Sequence, residues 1–136
     1  MASLAKSTVG LRVSGEQLDP NDLVMLLKYR PSTALTTTLK QVRRGTGPDA
    51  PTQQIWSLGY QETDATDLEA KLVALLGQLT DDLRAWAQLT SKYGADLFCG
   101  LFMDTSNEGF ELSPQLLRTI ADRGLKVGFD IYSSID

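Results

Sequence analysis

The sequence predicts an α+β domain whose sheet is largely antiparallel. Three observations carry that expectation. Short stretches alternate apolar with polar residues, the two-residue period of half-buried strands. Leucine-rich stretches at helical spacing lie between them. The switches between the two patterns are marked by capping residues, Pro or Gly. The 136 residues suit one domain, which at that size buries about two-thirds of the surface exposed by its unfolded chain.

Residues 1–6 are expected to form a loose terminus. Over residues 8–14, Val9, Leu11 and Val13 alternate with Gly10, Arg12 and Ser14, which predicts a strand. Asp19 is a helix cap and Pro20 suits a first turn, where its missing N–H has no intrahelical partner to lose. Leu23, Leu26 and Leu27 then share a face, and Pro31 ends a helix predicted over 20–29. Thr36, Thr37, Thr38, Leu39 and Val42 favour a strand, with Lys40, Arg43 and Arg44 marking its exposed side. Residues 45–53 form a flexible loop punctuated by Gly and Pro. A strand over 54–60 follows, around Ile55, Trp56 and Leu58.

Thr66 and Glu69 have the spacing of a capping box. Leu68, Leu72, Leu75, Leu76 and Leu79 continue at helical spacing, and Leu83, Trp86, Leu89 and Tyr93 form a second segment. The pattern over 67–93 fits one kinked helix or two. Gly94 is the expected terminator, because glycine accepts the left-handed conformation. From 96 to 103 both faces are apolar, Leu97, Cys99 and Leu101 against Phe98, Gly100 and Phe102. This predicts a central strand covered on both sides, or one covered by a partner. A turn and a short returning strand over 109–112 come next. Ser113 caps the last helix, Pro114 opens it, Leu116, Leu117 and Ile120 face inward, and Gly124 ends it. The final strand covers 126–132.

The resulting order, βαββαββαβ, begins as a ferredoxin-like split βαβ does, with helices packed on one face of the sheet. GEQLDPNDL and GFELSPQLL echo each other. Both sit at a strand-to-helix corner, so shared corner chemistry explains the echo, with duplication as the alternative.

Composition narrows the function. With 42% hydrophobic and 22% charged residues, the chain is not a disordered one. Thirteen basic against seventeen acidic residues give a net charge of −4, which argues against general nucleic-acid affinity. The sequence has no histidine, the commonest general base and metal ligand near neutral pH. One cysteine forms neither an internal disulfide nor a Cys-rich zinc site. There is no signal-peptide pattern and no apolar run near the roughly 20 residues of a membrane span. The expectation is a cytoplasmic protein with no cofactor.

Several segments together resemble a known family. They are LRVSGEQLDPNDLVMLL near the start, IWSL, the long leucine-rich region, ADLFCGLF and GFELSPQLLRTIADRGLKVGFDIY. The chain resembles the bacterial domain-of-unknown-function family numbered 4279 over nearly its whole length. These are corner and core residues. The resemblance implies a small α+β domain of unassigned activity and supplies no catalytic residue. A glycine often found after the family's first helix is Lys28 here.

Candidate site residues come from the residues themselves. Asp130 lies between Phe129 and Ile131, where burial would raise its pKa; strand alternation equally places it on a wetter face. Asp96, Asp104 and Glu108 match no calcium-loop spacing. Arg43 and Arg44, before Gly45-Thr46-Gly47, could hold an anion, though basic residues also protect a strand edge. Trp56 and Trp86 fit either a binding surface or the core. Cys99, with no histidine to activate it, reads as an inert core residue.

Two functional readings follow. The first is a non-enzymatic interaction or self-association module, binding an unknown protein or a copy of itself as a homodimer through the open sheet face or an edge. The second is a small-ligand or anion-binding protein, or an enzyme, with a pocket near Arg43, Arg44, Trp56, Asp130 and Tyr132.

Overall fold

The computed structural model describes residues 2–3, 6–29, 35–43, 45–60, 63–64 and 67–133. In chain order the elements are β1 (Ala2–Ser3), β2 (Lys6–Gly15), α1 (Pro20–Leu27), β3 (Leu35–Arg43), β4 (Thr52–Tyr60) and β5 (Thr63–Asp64). They continue with α2 (Leu68–Gly77), α3 (Leu83–Lys92), β6 (Gly94–Met103), β7 (Glu108–Gly109), α4 (Pro114–Asp122) and β8 (Lys126–Ser133).

The main sheet has the order β3-β4-β2-β6-β8, with β5 paired to the start of β2. All pairs along that path are antiparallel except the last, β6 with β8, which is parallel. The sheet is therefore mixed, and the ferredoxin-like order expected from the sequence is not reproduced as such. The physical reason lies in α4. A helical crossover returns the chain to the end of the sheet it left, so the strand that follows runs parallel to the one before. The expected strand over 109–112 is also absent from the main sheet. Glu108 and Gly109 instead pair in parallel with Ala2 and Ser3.

Alternation places the core. In β2, Ser7, Val9, Leu11 and Val13 are buried, and the residues between them are only partly covered. Register aligns these with Trp56 and Leu58 of β4 and with Leu97, Cys99 and Leu101 of β6. All helices contribute to this same core: Leu23 and Leu27, Leu68 to Leu76, Trp86 and Leu89, Leu116 and Ile120. Each fully buried leucine stabilises the fold by roughly 1.5–3 kcal/mol relative to exposure.

The helix boundaries follow local chemistry. Asp19 Oδ1 accepts from the Asn21 N–H at 3.0 Å, and Ser113 Oγ accepts from the Leu116 N–H at 3.2 Å. Both capping expectations hold. Residues 67–93 make two helices. Asp82 starts the second by accepting from the Arg84 N–H at 3.0 Å. Trp86 Nε1–H donates to the Thr80 carbonyl at 2.8 Å, and the Thr80 N–H donates to the Leu27 carbonyl at 2.7 Å. The junction is thereby tied to the end of α1.

The capping-box expectation falls on Thr66, which lies outside the described residues, as do Pro31 and Arg44. Glu69 Oε1 accepts from the Ser113 N–H, joining α2 to the start of α4. Three details differ from expectation. Gly94 is not left-handed; it is already paired in β6, and α3 stops at Tyr93 in an extended conformation (φ −132°). Leu117 is 49% exposed, because α4 buries only the stripe through Leu116 and Ile120. Finally, helices bury β6 on one face alone, so among the described residues the chain itself does not cover its second face.

Candidate functional site

The other face of the sheet carries no part of the buried core. Register lays out its residues in rows across the strands. Gly59, Gly10, Phe98 and Gly128 form one row, and Ser57, Arg12, Asp96 and Lys126 form the next. Beyond Phe98, Phe102 of β6 pairs with Tyr132 of β8.

Charge and rings interlock there. Arg12 Nε and Nη2 donate to Asp96 Oδ1 and Oδ2 at 3.0 and 2.9 Å, a bidentate pair. The same guanidinium stands 4.5 Å from the centroid of the Phe98 ring. Its pKa is held above the ordinary value, chiefly by the Asp96 hydrogen bonds, so Arg12 is a permanent cation. The Phe102 and Tyr132 rings stack at 5.0 Å and 12°. Tyr132 O–H donates to Asp130 Oδ2 at 3.4 Å. Asp130 adds a further favourable charge interaction with Arg12. Two close backbones make this face shallow at its middle: a Cβ at Gly59 would sit 2.6 Å from the Val9 carbonyl oxygen.

The β8 margin is an exposed border rich in apolar side chains. Phe129, Ile131 and Tyr132 are 38%, 61% and 47% exposed. The Phe110 and Phe129 rings meet at 5.3 Å. Beyond β8 no further strand pairs among the described residues.

The family model described as a domain of unknown function (DUF4279) matches residues 5–134. The chain belongs to that family. Comparison with curated proteins and with solved structures finds no match.

Within this DUF4279 domain the residues singled out from sequence are scattered. Asp130 and Tyr132 do meet. Arg43 sits on β3 at the opposite edge, four strand spacings or about 19 Å away, and donates to the Gly47 carbonyl at 3.3 Å. Trp56 is 4% exposed on the helix-covered face, with Tyr29 at 6.0 Å between ring centroids. The described members of the expected pocket therefore do not converge. Glu108 closes a turn, its Oε2 accepting from the Asp104 N–H at 2.6 Å. Among the described residues no cluster of acidic or thiol groups is arranged to hold a metal ion. The helices do leave one groove of roughly 780 Å³, lined in part by Lys28, Glu69, Thr80, Gln115, Thr119 and Arg123. It lies among the helices, on the far side of the sheet from Asp130.

Sequence reasoning missed Arg12 as an anchor and Lys71 as a buried cation. Lys71 is 6% exposed and its ammonium donates to Ser7 Oγ at 3.1 Å. Its place on the Leu68–Leu72–Leu75 stripe was the available signal. Cys99 is fully buried, and burial pushes its thiol up to about 12, so it stays neutral at ordinary pH.

Proposed function

We propose that this domain is a non-enzymatic protein-interaction module whose contact surface is the β8 margin of the sheet. One observation carries the reading: exposed large apolar side chains gather along an edge strand that has no outer partner among the described residues. Such a strand can extend a partner's sheet through main-chain hydrogen bonds, with side chains on both faces giving selectivity. Tyrosine, present on this strand as Tyr132, is enriched among residues that dominate interface energy. The chemistry supports binding over catalysis. The sequence has no histidine, the sole thiol is a neutral core group, and the open-face carboxylates Asp96 and Asp130 are engaged with Arg12 and Tyr132.

Site-specific photo-crosslinking in cells tests this. A photoreactive phenylalanine analogue at position 131 should yield a discrete protein adduct. The same probe at Val73, also exposed at 54% but on α2, should yield none. No adduct at 131, or equal capture at both positions, overturns the proposal.

A further inference from the structure

We infer that the partner at this edge is a second copy of the chain, joined β8 to β8 in antiparallel register about a two-fold axis at Gly128. This rests on the reading of β8 as the interaction edge and adds the occupant and the register.

Charge complementarity within β8 selects both. A two-fold axis normal to the sheet sets each residue opposite one whose number is its mirror image about the axis. Opposed residues in an antiparallel pair share a face, with Cα atoms about 4.5–5.5 Å apart. With Gly128 opposite its own copy, Lys126 faces Asp130 and Asp130 faces Lys126, giving two ion pairs on the open face. On the helix-covered face Val127 meets Phe129, and Ile131 lies one residue beyond the paired segment 126–130. Moving the axis to Lys126 or Asp130 opposes like charges, which is destabilising. Moving it to Val127 or Phe129 leaves neither charge opposite the other. Lys126 has no ion-pair partner within the described chain, so this contact displaces none.

A Cβ built at Gly128 would meet no atom within 4 Å in this chain, so a side chain placed at the axis leaves the fold of one copy undisturbed. The other edge lacks this complementarity. β3 presents Lys40 and Arg43 and contains no acid, so pairing it with itself would gather cations, a known guard against edge association. The assembly joins the two five-strand paths into one continuous sheet, with the helices of both copies on one face.

Light scattering and sedimentation of the full chain across a concentration series test the proposal. The wild-type chain should be a dimer. Lys126→Asp and Asp130→Lys should each weaken it by roughly tenfold or more, since each opposes like charges twice. The double swap Lys126→Asp/Asp130→Lys should restore it. Circular dichroism confirms that each variant is folded. Gly128→Cys should give a covalent dimer under mild oxidation, and Lys126→Cys should not. A monomeric wild type overturns the inference, as does a dimer indifferent to both single swaps. A monomer that still captures a different protein at position 131 overturns self-pairing alone and leaves the interaction reading standing. Absence of any adduct there removes both.

Discussion

Lys28 is the one non-glycine residue with positive φ in the described chain, at φ 49° and ψ 40°. It closes α1, donating its backbone N–H to the Val24 carbonyl at 3.0 Å. A left-handed residue bearing a Cβ costs roughly 1–2 kcal/mol, and glycine is the usual occupant of such a cap. Lys28→Gly should therefore stabilise the protein by about 1 kcal/mol, read as a higher midpoint in urea. A lower midpoint would show that the lysine side chain, which also lines the helical groove, contributes more than its strain costs. Cys99 makes a prediction of opposite character. Its ordinary value is 9.0 and burial raises it to about 12. Above pH 9 the unfolded chain loses the thiol proton first, so stability is full below that pH and falls as pH rises towards 12. Urea midpoints measured against pH should decline more steeply for the wild type than for Cys99→Ala in that window. Parallel declines would contradict the shift.

At the scale of elements, β6 is the strand on which the others depend. It pairs with β2 on one side and β8 on the other, and its Leu101 is 1% exposed. Leu101→Ala should cost about 2–5 kcal/mol in chemical denaturation, the transfer loss plus a cavity; a near-silent result would contradict this central placement. Elements with a strict period or a strong cap were legible from the sequence alone. The Val9–Leu11–Val13 and Leu97–Cys99–Leu101 stripes lie as expected, as do the Asp19-Pro20 and Ser113-Pro114 corners. What misled was local ambiguity. Phe98 and Phe102 are as apolar as their neighbours, so periodicity implied cover on both faces, by the chain or by a partner. In fact Arg12 and Tyr132 shield these rings partly, and no helical layer does. Leu117 likewise matched the helical pattern but falls off the buried stripe.

At the scale of the molecule, strand order decides the candidate site, and no local pattern encodes strand order. Arg43 and Asp130 looked combinable in one dimension, and the sheet sends them to opposite edges. The reverse holds for Arg12 and Asp96, which are 84 positions apart in sequence and share one bidentate contact. That pair shows what a crossover topology hides from a sequence reading. A strand from the first turn of the chain is slotted between a hairpin strand and one from the last third.

The same placement of β2 between β4 and β6 has a consequence during synthesis. At translation rates of about 5–20 residues per second, Arg12 is made on the order of ten seconds before Asp96. Until β6 is made, β2 has β4 on one side and an open hydrogen-bonding edge along most of the other. Such non-local pairing slows folding and leaves apolar edges open to other chains. The nascent domain's period of greatest exposure to chaperones and to misassembly thus ends only when residues 94–103 have left the ribosome.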